Sequence, residues 1–447
     1  MKVLFVSLGC DKNSVDSEMM LGILARSGYE FTNDEEEADI VIINSCCFIG
    51  DAKEESINTI IEYGKRRLDG QLKALIVTGC LAQRYPEEIR SELPEVDALV
   101  GTAAIGDIAE VLGSVIEGDP KDAFSPLDSK PFHQSERIIT TSGFSEYLKI
   151  AEGCARNCTY CIIPKIRGPY RSVPMEELVK EAESLAERGV REINIVAQEI
   201  TLYGIDLYGK KMLPELLRKL CLIEDLRWIR LLYCYPEEIT DELIEVIRTE
   251  KKVLHYIDMP VQSGSDGILG LMGRKITRSE ILDLVRKIRT AIPDICIRTT
   301  LITGFPSESK KDFEETADLV RKARFNRLGC FTYSPEEGTK AAEMKGQISE
   351  RTKEKRRAEI MRIQQDIVFE YNESLKDSVT DAFVEGYIRE DDVYVCRTYM
   401  DAPDVDGLLF VSSERELQSG MIIKAKITGY NGYDLIGEFV EQDEPTQ

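Results

Sequence analysis

Residues 147–161 read "YLKIAEGCARNCTYC": a strand-like run, a glycine, and then Cys154, Cys158 and Cys161 in CxxxCxxC spacing. A strand that empties into a thiol-rich loop points to a parallel sheet with chemistry at the C-terminal ends of its strands. Three thiolates on one tight loop can hold three irons of a cubane 4Fe-4S cluster, leaving the fourth iron open to a small chelating ligand. A catalytic zinc keeps one position free in the same way. Structural zinc would need a fourth ligand and more often shows paired CxxC arms. Arg156, Asn157 and Thr159 make the loop too polar for ordinary core.

Around this loop, strand and helix alternate six times over residues 141–375. Strands are expected at 147–153, 192–198, 227–233, 256–262, 297–305 and 327–334, with helices between them. Pro174 sits early in a helix that ends at Gly189, and "TRSE" (277–280) has capping-box form. Six consecutive βα units predict a partial (βα)6, TIM-like barrel. A long charged helix, about 349–375, follows.

Upstream, residues 1–125 also alternate strand and helix, which implies an α/β domain with a parallel sheet. Asp16 or Ser17 is expected to cap its first helix and Gly28 to end it. Residues 126–140, rich in Pro, Asp and Ser, read as a linker. Downstream, residues 376–447 switch to short alternating strands with Gly-rich turns, the pattern of a small antiparallel β-barrel. From residue 377 onward there are 16 acidic and 5 basic residues, a net charge of −11.

A second set of thiols appears when the N-terminal strands are aligned by their ends. "SLGC", "INSC" and "VTGC" place Cys10, Cys46 and Cys80 each directly after a small residue that closes a predicted strand. Strand ends of a parallel sheet converge on one edge, so these thiols meet in space and form a candidate second iron-sulfur site. Cys47, one residue further along, points to the opposite side if the strand geometry continues. Cys221, Cys234, Cys296, Cys330 and Cys396 lie singly in predicted elements and read as core.

The chain of 447 residues carries 12 cysteines, two histidines (His133 and His255) and a formal charge of −23. So few histidines leave little from which to build a His metal site or a Ser-His-Asp triad. "MKVLFVSLGCDKN" reads as a first strand rather than an export signal, and no apolar run approaches the roughly 18 residues a membrane span needs. Unexported cysteines stay reduced, which suits metal or sulfur chemistry in the cytoplasm. The negative charge disfavours nucleic acid as main substrate and fits a basic protein partner. No GxGxxG or GxxxxGK[ST] phosphate loop is present.

The CxxxCxxC loop opening a six-fold βα segment resembles the radical S-adenosylmethionine enzymes. With three strand-end cysteines before it and a small barrel after it, the chain resembles the methylthiotransferases of that superfamily from end to end. The resemblance implies a C-terminal TRAM barrel and a radical 4Fe-4S cluster on Cys154, Cys158 and Cys161, whose open iron chelates S-adenosylmethionine and cleaves it to a 5'-deoxyadenosyl radical. It also implies an auxiliary 4Fe-4S cluster on Cys10, Cys46 and Cys80 that takes part in delivering sulfur, and two molecules of S-adenosylmethionine per product. Tyr160, beside the radical loop, is a candidate to seat the adenine. Gln198, Arg298 and Glu308, at or near predicted strand ends, are candidates to contact cofactor or substrate.

Within the family, "SLGCDKNSVDSEMMLGIL", "CCFIGDAKEESI", "CIIPKIRGPYRS", "AQEITLYGIDLYG" and "FTYSPEEGTKA" are similar to the branch that methylthiolates the β-carbon of an aspartate on small-subunit ribosomal protein twelve. The segment 260–272, "PVQSGSDGILGLM", is closer to the branch that modifies an adenosine of transfer RNA. Asp11 stands where the protein-modifying branch commonly has proline, and Cys47 has no counterpart ligand. Charge favours the protein substrate: a barrel that docks on RNA should be basic, whereas one carrying −11 repels phosphate and attracts a basic ribosomal protein. An electron donor and a sulfur source are further partners implied. A third reading, a non-catalytic iron-sulfur electron carrier, does not account for the open-site spacing or the barrel.

Overall fold

The computed structural model describes residues 1–441; the last six residues of the expected C-terminal barrel, 442–447, lie outside the described residues. At the N-terminus, β1 (Lys2–Ser7), β2 (Glu30–Phe31), β3 (Ile40–Ser45), β4 (Ala74–Gly79) and β5 (Ala98–Val100) form a parallel sheet in the order β2-β1-β3-β4-β5. Every residue of β3 and β4 is buried, as expected for a parallel sheet covered on both faces. β2 and β5 have two and three residues, too few to show a period in the sequence.

Helix α1 (Asp11–Arg26) begins at Asp11 with Cys10 at its N-cap, so neither Asp16 nor Ser17 caps it. Both are buried inside the helix, where Asp16 is paired with Lys149 and Arg167 and the Ser17 hydroxyl donates to the Asn13 carbonyl. Tertiary partners claim these side chains, and the local capping signal misleads for that reason. Gly28, at φ +86°, takes the left-handed turn just past the helix end.

In the centre, β6 (Ser145–Lys149), β9 (Glu192–Val196), β10 (Trp228–Leu231), β11 (Val253–Asp258), β12 (Cys296–Thr303) and β13 (Arg327–Thr332) pair in sequence order as an open parallel sheet. The run expected at 147–153 is divided. After Lys149 the chain leaves the sheet, and β7 (Ala151–Glu152) pairs antiparallel with β8 (Arg171–Ser172), which frames the cysteine loop between them. The capping box at Thr277–Glu280 is present as expected.

The segment 126–140 contains no helix or strand, yet it is pinned rather than loose. The Arg137 guanidinium is fully buried and meets Glu18 of α1, Glu146 of β6 and Glu181.

The C-terminal strands β14 (Val379–Ile388), β15 (Val393–Thr398), β16 (Leu409–Ser412), β17 (Ile422–Asn431) and β18 (Asp434–Val440) close into a barrel in the order β14-β15-β16-β18-β17. Four pairings are antiparallel, as expected, but β16 and β18 run parallel because the β17–β18 hairpin lays β18 beside β16.

This barrel is fastened to the central sheet by a mixed interface. Trp228 lies 5.7 Å from the Phe383 ring. Beside it, Glu192 accepts from both Arg230 and Arg397, all three fully buried. Arg327 pairs with Asp401 at 2.6 Å, and Asp406 accepts from the Tyr256 hydroxyl and from Arg298. Burial alone would raise the Glu192 carboxyl, but the two guanidiniums outweigh it and hold it down at about 2. Removing the anion would leave two buried cations facing each other. Glu192→Ala should therefore lower stability by about 3–5 kcal/mol, read as a lower thermal midpoint, and Glu192→Ala with Arg397→Met should recover part of it. An unchanged midpoint in the single variant would show that the interface does not depend on this charge.

Candidate functional site

The first thiol set follows from the register of the N-terminal sheet. Ser7 pairs with Asn44, and Ser45 with Gly79, so the residues that follow β1, β3 and β4 leave the sheet side by side. Gly9 (φ +101°) and Gly79 (φ +89°) make the sharp exits. A Cβ at Gly9 would stand 2.9 Å from the Cys46 Cβ, and one at Gly79 2.3 Å from Asn44 Oδ1, so neither position has room for a side chain. The glycine before Cys10 and the glycine before Cys80 are thus requirements of close approach, while Ser45, before Cys46, donates its hydroxyl to the Thr78 carbonyl. Cys10 is exposed, whereas Cys46 and Cys80 are buried.

The second set lies on the loop after β7. Cys154 and Cys158 are buried and Cys161 is partly exposed. The loop is held on both sides of Thr159, whose N donates to the Met272 carbonyl and whose carbonyl accepts from Ala341 N. Arg156 grips Glu199 through two bonds of 2.7 Å, and Tyr235, with its hydroxyl 3.6 Å from Cys158 Sγ, carries Arg274 over its ring at 4.3 Å.

One helix joins the two sets. Ile163–Arg167 follows Cys161 directly, and its Ile162 and Ile166 side packs into the core of the N-terminal sheet. Its last residue, Arg167, donates to Cys80 Sγ at 3.4 Å and to Asp16 at 2.6 Å. Lys149 and Arg167 both meet Asp16 and Glu152, forming a buried network of two cations and two anions. Burial works against the charged form of Glu152, but Lys149 and Arg167 hold its carboxyl well below the usual range. Of these four residues the sequence points to Asp16 alone, and as a helix cap; nothing local marks Lys149, Glu152 or Arg167.

The donor chemistry fits iron-sulfur ligation. Backbone N–H groups approach the Cys46, Cys154 and Cys161 sulfurs, and Arg167 approaches Cys80, the kind of N–H···S contact that tunes cluster thiolates. Burial pushes the Cys154 thiol up to about 11 and those of Cys80 and Cys161 up to about 12, so metal loading must displace protons. Among the described residues no three His, Cys, Asp or Glu side chains close on a single point as around one metal ion. The thiolates of a cubane need not, because each binds a different iron.

The other sequence candidates have varied surroundings. Tyr160 packs against the small apolar cluster of Ile268, Met272, Phe305 and Tyr333 beside the radical loop. Gln198 donates to Glu152 at 2.8 Å, and its Oε1 is buried without a partner. Arg298 is engaged by Asp258 and Asp406, at the junction with the C-terminal barrel. Glu308 accepts from the Gly304 and Phe305 amides and from Arg356. Gln262, at φ +70° just past β11, is a strained position that the sequence did not reveal, and its Oε1 is also buried and unpartnered.

Residues 2–101 match the Uncharacterized protein family UPF0004, residues 148–320 the Radical SAM superfamily and residues 378–440 the TRAM domain. Over 98% of its length the chain is 55% identical to 99% of a Lachnoclostridium phytofermentans protein named Ribosomal protein uS12 methylthiotransferase RimO. A Clostridioides difficile protein of the same name is 46% identical, covering 98% of each chain. This chain belongs to the RimO family of radical S-adenosylmethionine methylthiotransferases. Membership brings with it a 4Fe-4S cluster and S-adenosylmethionine. Among solved structures, the radical S-adenosylmethionine methyltransferase TsrM from Kitasatospora setae superposes with a TM-score of 0.55 at 15% identity, covering 74% of this chain and 72% of that one. That likeness is one of fold. No described helix is long and apolar enough to cross a membrane.

Adjacent Cys46 and Cys47 give a sharp test of the strand-end register. Cys47 is fully buried among N-terminal core residues, its thiol pushed up to about 11 by burial, while its carbonyl accepts from Arg84. Anaerobically reconstituted protein should hold about eight irons; Cys46→Ala should fall to about four and Cys47→Ala stay near eight. Iron and sulfide analysis of the two variants decides it, and the reverse pattern would shift the register by one residue.

Proposed function

We propose that this protein adds a methylthio group to the β-carbon of an aspartate on ribosomal protein uS12, with a radical cluster on Cys154, Cys158 and Cys161 and an auxiliary cluster on Cys10, Cys46 and Cys80. The observation that carries the reading is the Arg167 bridge, which ties the helix after Cys161 to the Cys80 sulfur. A carbon radical and a sulfur donor are useful together only if both reach one substrate atom, and here the two thiol sets share a rigid connection.

The chemistry supplied by the bound groups is reductive cleavage of S-adenosylmethionine to a carbon radical and delivery of methylated sulfur. The chain's residues organise that chemistry. Arg156, clamped by Glu199 and Glu238, fixes the radical loop. Gln198, anchored on Glu152, presents its free Oε1, and Tyr160 with its apolar neighbours offers a face for the adenine. Glu308 holds the turn at Gly304, and Arg298 holds the barrel junction; both serve as positioning residues in this reading. Arg84, paired with Glu336 and bonded to the Glu337 carbonyl, draws the loop after β13 over the N-terminal sheet and helps exclude water.

The acidic C-terminal barrel supports a basic protein partner, since a charge of −11 from residue 377 onward opposes RNA phosphate. Two oxygen-sensitive clusters and free cysteines suit a reducing cytoplasm, with an electron donor and a sulfur source as further partners. The resemblance of residues 260–272 to the transfer-RNA branch gives the competing substrate. Purified uS12 and transfer RNA are offered together to the reconstituted enzyme with S-adenosylmethionine, sulfide and reductant, and both are then weighed by mass spectrometry. The methylthio mass should appear on uS12 alone. Its appearance on transfer RNA would replace this reading with the alternative. Cys154→Ala should abolish formation of 5'-deoxyadenosine, and retained cleavage would overturn the radical-site assignment.

A further inference from the structure

Lys12 is a cation in a costly place. It is the second residue of α1, at the end where the helix dipole is already positive, and its side chain is only 8% exposed. The ammonium lies 3.4 Å from the centre of the Tyr233 ring and makes a single ion pair, 2.8 Å, with Asp11. Other buried cations near the two thiol sets have more than one acceptor: Arg274 meets Glu237 and the Pro260 carbonyl, and Arg84 meets Glu336 and the Cys47 and Glu337 carbonyls. Lys149 and Arg167 each meet Asp16 and Glu152, Arg156 meets Glu199 and Glu238, and Arg298 meets Asp258 and Asp406.

Asp11 is incomplete as well. Its Oδ1 accepts from Lys12 and, at 3.4 Å, from the Tyr233 hydroxyl, whereas its Oδ2 is buried with no partner on a side chain 9% exposed. Tyr233 itself is held at φ +63° just past the end of β10, a strain that rigid surroundings must sustain. The pair adjoins Cys10, at the edge where the first thiol set leaves its sheet.

We propose that Lys12 receives the side-chain carboxylate of the substrate aspartate and that Asp11 holds its place until the substrate arrives. The inference rests on the aspartate substrate proposed above. A carboxylate entering a water-poor site must find a cation, and Lys12 is a buried one whose only acceptor among the described residues is a single carboxylate oxygen. Asp11 carries the same functional group as the substrate side chain. Exchanging one carboxylate for the other keeps the charge balance and releases the orphaned Oδ2 from burial. The Tyr233 ring backs the ammonium and limits the direction from which the exchange can occur.

The placeholder role gives neighbouring substitutions opposite signs, which a merely structural ion pair would not. Binding of fluorescently labelled uS12, and of the same protein with the target aspartate changed to asparagine, is measured on reconstituted full-length enzyme without reductant. Iron content is checked for each variant. Wild type should prefer the aspartate form by about tenfold. Lys12→Met should erase that preference, and Asp11→Ala should tighten binding of the aspartate form several-fold while leaving the asparagine form unchanged. Preference surviving in Lys12→Met, no preference in the wild type, or weaker binding in Asp11→Ala would each overturn the inference. Product formation on uS12 by the wild type separately tests the activity, so the two failures are distinguishable.

Discussion

The buried network of Asp16, Lys149, Glu152 and Arg167 is the constraint on which the site depends. Its members come from α1, β6, β7 and the short helix after the radical loop. Two cations and two anions balance, so the group can be buried without a net charge, yet loss of any one leaves an unpaired ion in a dry site. Such a network adds little net stability over a well-packed apolar core. Its contribution here is position: it fixes α1, whose N-cap is Cys10, against the strands that lead to Cys154.

Position propagates from there in both directions. Arg167 extends the network to Cys80, and Gln198 extends it from Glu152 to the end of β9. Below, Glu192, Arg327 and Asp406 lock the C-terminal barrel to the same sheet. The three parts are therefore held as one body by buried charge pairs set within shared apolar packing, such as that of Trp228 on Phe383 and of Ile162 and Ile166 on the N-terminal core. An enzyme that must bring a short-lived radical and a sulfur donor to one carbon gains most from that kind of rigidity, because misplacement by a fraction of a bond length lets the radical react elsewhere.

Much of this was legible in the sequence where the signal is local. The six strands of the central sheet, the side-by-side strand ends that lead to Cys10, Cys46 and Cys80, and the barrel follow from period and turn chemistry. What escaped is long-range. Asp16 and Ser17 look like helix caps until Lys149 and Arg167, more than a hundred residues away, are seen to claim Asp16. Residues 126–140 look like a linker because composition cannot show that Arg137 is buried against three carboxylates. The parallel β16–β18 pair depends on where the chain crosses the barrel, which no window of sequence records. Arg298 and Glu308 stand near strand ends as expected, but their charges are already engaged by neighbours that only the fold brings close.

The most direct measurement is the coupling between the two halves of the reaction in Arg167→Met. The variant should load its irons and cleave S-adenosylmethionine, yet yield far less methylthiolated product per 5'-deoxyadenosine than the wild type, because the two thiol sets are no longer held in register. An unchanged ratio of product to 5'-deoxyadenosine would show that the network does not set the geometry, and would contradict the account.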